Sequence, residues 1–205
     1  MSETDSIKDD IVQEQIIQSA QTLFLVHGFN KVNMDDLAKA IGKGRSSLYY
    51  YYKNKEEIFI AVMDIAIRKM ITEIRESVEL ASTIEKKIGA FYLTRLRLAK
   101  RRKELYNAAD SGMDSDEMSR YTKVKRIIHK RIFNLESSLL TRVLNEAIEK
   151  GELKVIPVEE LETLVYVLLS SLHGLKREMI IEDDFSGIEI TVKVLINALM
   201  NGLKK

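Results

Sequence analysis

Cysteine is absent from the chain, so no disulfide can form and a reducing compartment is compatible. Proline occurs once and glycine nine times in 205 residues, which leaves few natural breaks in helical structure. No apolar run is long enough to span a bilayer. The acidic, polar opening MSETDSIKDD lacks the character of a secretory signal. Together these absences point to a cytoplasmic protein without membrane contact. A net charge of +1 neither favours nor excludes a nucleic-acid partner, so the distribution of charge has to be examined. What the chain does hold is 45% hydrophobic and 31% charged residues, dominated by Ala, Leu, Ile, Lys and Glu. Strand-like alternation is hard to find, and the expectation is an all-α protein of one globular unit or two small ones.

Several kinds of chemistry find no support. His27, His129 and His173 have no His or Cys neighbour at metal-ligand spacing, so no metal is expected. Gly42 and Gly44 precede a helix but follow no strand, which argues against a phosphate-cradling loop. The serine pairs Ser46-Ser47, Ser137-Ser138 and Ser170-Ser171 lack a base at a readable position. No catalytic residue and no cofactor is expected.

The most informative stretch is Asn33 to Lys55, NMDDLAKAIGKGRSSLYYYYKNK. Asn33 can cap a short helix, with Asp36 as its reciprocal partner. Met34, Leu37, Ala38 and Ile41 give that helix an inner face, and Gly42 ends it as a left-handed cap. A second helix is expected from about Gly44 to Tyr52. Leu48 and Tyr52 lie on its inner face, with Arg45, Ser46, Tyr49 and Tyr50 outside. From Lys43 to Lys55 every charge is positive. A basic helix propped by another across a tight turn fits the major groove of DNA.

The remaining elements follow from helical periodicity. A first helix spans about Asp9 to His27, with Ile16, Ile17, Ala20, Leu23 and Phe24 inward. Asn54 and Glu57 suggest a cap for a helix from Lys55 to around Leu80, within which the domain boundary falls. Ile84 to about Arg102 and Glu117 to Lys150 are further helices, separated by a turn-rich loop at residues 107–115. Pro157 opens a helix bearing Leu161, Leu164, Val165, Leu168, Leu169 and Leu172. Ser186 and Glu189 suggest a capping box for the last helix, with Ile188, Val192, Leu195, Ile196 and Leu199. Two basic clusters, one from Arg95 to Lys103 and one from Lys123 to Arg131, are expected on solvated helix faces.

The run Gly42 to Tyr52 followed by Lys53-Asn54-Lys55-Glu56-Glu57 resembles the TetR family of bacterial transcriptional regulators. Ala20 to Phe24, Gly28-Phe29 and Asp36-Leu37-Ala38 match upstream, so the resemblance covers about Asp10 to Val62. Lys43 stands where a small apolar residue is customary, Gly44 where Ser is common, and Tyr52 where Phe is usual. The resemblance implies a three-helix helix-turn-helix DNA-binding domain, here residues 9–70. It also implies a helical ligand-binding and dimerisation domain over 71–205, and repression relieved by a small molecule. By position, Asn33 caps its helix near a phosphate, and Lys43, Gly44, Arg45 and Ser46 meet the base edges. Tyr49, Tyr50, Tyr51 and Lys55 hold phosphates. A ligand pocket is expected from Phe91, Tyr92, Leu96, Met113, Met118, Tyr121, Ile128 and Phe133, for an apolar or amphipathic ligand.

Physical reading of the same residues adds detail. The planar fork of Arg45 can bind guanine O6 and N7 together. The apolar faces of the last two helices suggest a homodimer through a four-helix bundle, formed by Leu161, Leu164, Val165, Leu168, Leu172, Val192, Leu195, Ile196 and Leu199. Such a dimer requires a near-palindromic operator of double-stranded DNA. The alternatives are an architectural or protein-regulated DNA binder without a ligand, and a helical interaction module that does not bind DNA.

Overall fold

The computed structural model describes residues 3–101 and 115–204. This part folds as α1 (Glu3–His27), α2 (Met34–Ala40), α3 (Arg45–Tyr51), α4 (Lys55–Glu79), α5 (Ile84–Arg101), α6 (Ser115–Glu149), α7 (Val158–Ile181) and α8 (Ile188–Leu203). Among the described residues, β pairing is confined to one isolated antiparallel bridge between Leu153 and Lys204. The all-α expectation holds. No described helix is long and apolar enough to cross a membrane.

Local chemistry sets most helix ends. Asn33 Oδ1 accepts from the Asp35 and Asp36 amides at 2.8 and 3.0 Å, and Asp36 Oδ2 accepts from the Asn33 amide at 2.9 Å. That is the reciprocal capping box expected there. Gly42 stands at φ +64°, and the Gly42 and Lys43 amides donate to Lys39 and Ala38 carbonyls at 3.0 Å each. This pairing satisfies carbonyls at the end of α2 and requires a residue at ease in the left-handed region. Asn54 Oδ1 accepts from the Glu57 amide at 2.9 Å, while Glu57 reaches back to the Lys53 amide at 2.8 Å. The start of α8 departs from expectation. The Ser186 amide donates to Asp184 Oδ1 at 2.8 Å, and Gly187 takes the cap position without a side-chain bond. Asp184 thus turns the chain before Ser186 can cap the helix.

The described chain divides into two packing units. Residues 3–67 and 115–129 form the first, and residues 68–101 and 130–204 the second. The break within α4 falls after Ile67, and the first half of α6 packs with the amino-terminal helices. An aromatic cluster explains it. Phe29 lies 4.8 Å from Phe59 and 5.7 Å from Tyr121, ring centre to ring centre, the Tyr121 pair being stacked. Such pairs add to the ordinary gain from area burial. Around them Ile16, Ala20, Phe24, Leu37, Leu48 and Ile58 complete the core of the first unit. In the second unit α5 packs against α8 and α7. A Cβ at Gly89 would lie 3.1 Å from Ile196 Cδ1, so glycine permits that close approach of α5 to α8. The Tyr92 hydroxyl donates to the Leu168 carbonyl at 2.6 Å and lies 2.9 Å from Ser171 Oγ, joining α5 to α7. Burial pushes Tyr92 up to about 12.

Candidate nucleic-acid interface

Leu48 is fully buried and fixes α3 in the core of the first unit. Its rotation follows: Lys43, Gly44, Arg45, Ser46, Tyr49 and Tyr50 all stand exposed on one side. Tyr50 is 71% exposed, which is unusual for so large an apolar ring unless a surface is to be covered. Asn33 is exposed too, but its side-chain oxygen serves the capping box. Arg45 forms an ion pair through Nε with Asp35 Oδ1, a residue of α2 held in place by the Asn33 cap. Asp35 thus orients the one side chain on α3 able to read guanine by a bidentate contact.

Two residues expected at phosphates are engaged elsewhere. Lys55 Nζ donates to the carbonyls of Phe29, Asn30 and Val32, each at 3.2 Å, and lies 4.7 Å from the centre of the Phe29 ring. An ammonium has three donors, and here all three close the turn between α1 and α2. The Tyr51 hydroxyl donates to Asp9 Oδ1 at 2.7 Å, tying α3 to α1. That hydrogen bond, with some burial and the charge of Asp9, pushes Tyr51 up to about 12. Both residues shape the surface; neither presents free donors to it. Motif position alone could not show this, because the acceptors lie 23 to 42 residues away in sequence. Tyr52 is partly buried, as expected of an inner-face residue, and burial raises its pKa.

The residues expected to line a ligand pocket are divided between the two units. Phe91, Tyr92 and Leu96 are fully enclosed core residues of the second unit. Tyr121 and Ile128 are buried in the first unit. Phe133 packs against Tyr166 and His173. Met113 and the side chain of Met118 lie outside the described residues. Aromatic residues on these helices were taken by the cores, where burial of large rings gains most. A groove of about 520 Å³ lies instead between α4, α5 and α8, lined by residues that include Gly89, Leu93, Val192, Ile196, Lys86 and Lys193. Among the described residues no group of His, Cys, Asp and Glu is arranged to hold a metal ion.

The residues expected at a dimer face are mostly turned inward within the chain. Leu161, Val165, Leu168, Leu172, Val192 and Ile196 are buried inside the chain, and Leu164, Leu195 and Leu199 are partly so. Periodicity finds the strongest apolar stripe, and that stripe belongs to the core. The same helices carry a second set outside: Tyr166 (61% exposed), Val167, Ile190 and Val194 (63%). Gly174, with nothing within 4 Å of where its Cβ would be, leaves open space on the surface of α7. The basic cluster of α5 is also divided. Arg97 and Arg101 pair at the surface with Glu189 and Glu73, but Arg95 is buried.

Comparison with known proteins gives a consistent picture. The family described as "Bacterial regulatory proteins, tetR family" matches residues 16–62. The negative transcriptional regulator of the biofilm operon icaADBC from Staphylococcus epidermidis is 42% identical over 48 residues, spanning 23% of this chain and 26% of that protein. In fold, the chain is similar to the fatty acid degradation regulator FadR of Bacillus halodurans, at 20% identity and TM-score 0.63, covering 92% of this chain and 94% of that one. It is also similar to FadR of Bacillus subtilis in complex with stearoyl-CoA, at 17% identity and TM-score 0.59, covering 92% and 98%. The Staphylococcus epidermidis protein and the Bacillus subtilis FadR are both described as transcriptional regulators.

Proposed function

We propose that the chain, whose residues 16–62 match the tetR family of bacterial regulatory proteins, is a DNA-binding transcription regulator, and more closely a ligand-responsive repressor that binds a near-palindromic operator as a homodimer. The observation that carries this reading is the exposed face of α3, with Lys43, Gly44, Arg45, Ser46, Tyr49 and Tyr50 presented together. Base recognition falls to Arg45, steadied by Asp35. Lys43 and the hydroxyls of Tyr49 and Tyr50 meet phosphates, which set register and affinity more than sequence choice. The exposed apolar set on α7 and α8 supports the dimer. A fold neighbour in complex with stearoyl-CoA supports a small amphipathic effector held by the second unit.

A ligand shifts such a regulator only if it binds the DNA-free state better than the DNA-bound one. Since α4 and α6 contribute to both units, either can carry the shift. The test is affinity for the duplex upstream of the protein's own gene, beside a random duplex, across a salt series. We expect specific binding with a steep salt dependence, each phosphate contact adding about 0.9 to the slope. Arg45→Ala should lose roughly 1–3 kcal/mol of discrimination. Equal, weak binding to both duplexes, with no sequence recovered from a random library, would sink the reading.

A further inference from the structure

The second unit encloses a charge cluster that its fold does not require. Arg95 of α5 is 3% exposed and Glu136 of α6 not at all. Arg95 Nε donates to Glu136 Oε1 at 2.5 Å, and His173 Nε2 of α7 lies 3.1 Å from Glu136 Oε2. Both carboxylate oxygens are therefore engaged. Burial alone would raise the Glu136 carboxyl, but the His173 hydrogen bond and the charge of Arg95 outweigh it and hold it low. One turn beyond His173, Lys176 is partly buried and close enough to feel both charges.

Positive charge is in excess here. One carboxylate answers to both a guanidinium and an ammonium. Among the described residues Arg95 is paired through Nε alone, and no side-chain nitrogen sealed from solvent lacks a partner, so the remaining donors of Arg95 and Lys176 open to solvent. Burial, reinforced by Arg95, pushes Lys176 down to about 8. Gathering such charges away from bulk water costs stability, and apolar residues of similar volume serve a core as well or better. Unused donors on two cations fixed by three different helices are the arrangement that recognises an anion.

We propose that Arg95 and Lys176 form an anion-recognition site in the second unit, for a ligand with a carboxylate or phosphate head group. Glu136 and His173 hold Arg95 in position, and its planar fork meets two oxygens of the head group. Lys176 supplies the second charge. The site rests on the ligand-responsive reading above and names the chemical class of effector.

Three probes with one tail and different heads test it on the full chain: octanoate, octyl phosphate and octanol, titrated by calorimetry. The expected result is that at least one anion binds ten times more tightly than octanol, the tighter of the two assigning the head group. Lys176→Met should abolish most of that preference and Lys176→Arg should keep much of it, with both variants folded by circular dichroism. Octanol binding as well as both anions, or Lys176→Met retaining the full preference, would overturn the site. Release of operator DNA is read separately. Anion binding without release refutes ligand response and leaves the site standing, whereas loss of anion preference refutes the site and leaves DNA binding untouched.

Discussion

Lys55 sits in the stretch that matches the family model, yet its surroundings give it a different task from the one its position suggests. Three carbonyls of the turn before α2 consume its donors. Lys55→Met should therefore cost about 2 kcal/mol of stability in urea unfolding, the usual order for hydrogen bonds to a charged group. Its salt slope for operator binding should match the parent's, while Lys43→Ala should lower the slope by about 0.9. Asp35 presents a different balance. Its carboxylate repels phosphate but steadies Arg45. Asp35→Ala should bind random duplex more tightly than the parent and discriminate less well between operator and random DNA. A gain in discrimination would show that Arg45 reads bases better unbraced. At this scale the sequence was most legible where chemistry is local. Asn33, Asp36 and Gly42 act on neighbours within three or four residues, so their spacing alone revealed them. Lys55 and Tyr51 act across the fold, and nothing in their local pattern names Val32 or Asp9.

At the scale of elements, helix existence was readable and helix faces were less so. Periodicity located α7 and α8 because both bury a stripe of branched aliphatic residues. It could not tell a stripe buried within the chain from one buried between chains, since both are apolar. The distinction has a direct consequence. Tyr166→Glu with Val194→Glu should give a folded monomer in sedimentation velocity and cost near-palindromic operator binding. Leu168→Ala should instead lower stability by roughly 2–5 kcal/mol, as for other core truncations, and leave association intact. A dimer surviving the double charge substitution would place the interface elsewhere. Some ends are also set from afar: Glu152 Oε2 accepts the Ile84 amide at 3.0 Å, capping α5 across a sequence separation of 68. No local signature encodes such a cap. Ser186 shows the converse, a correct-looking signature displaced by Asp184.

Across the whole molecule, the enclosed cations make stability depend on pH. Lys176 falls from its ordinary value of 10.5 to about 8 in the native state, so the native chain holds that proton more weakly than the unfolded one. The resulting destabilisation is complete below pH 8, fades as pH rises, and is absent above 10.5. Lys176→Met should therefore raise stability at pH 7, by up to about 3 kcal/mol, with the gain vanishing towards pH 10.5. Tyr92 acts in the opposite sense. Its native value of about 12 exceeds the ordinary 10.0, so stability is lost as pH rises through that interval. Thermal unfolding of parent and variant from pH 6 to 10 would check the sign; a gain that grows with pH would contradict it. The second unit was the least legible part, because Glu136, His173 and Arg95 stand on separate helices and read singly as unremarkable surface residues.

Tyr121 has a consequence for how the protein can be divided. Its ring stacks on Phe29, yet more than fifty residues of sequence lie between the end of the family match at residue 62 and Tyr121. A fragment cut after α4 would retain every residue of the α3 surface and still lack part of the wall behind Phe29 and Phe59. The stretch that matches the family is therefore shorter in sequence than the packing unit that it belongs to, which takes in the start of α6.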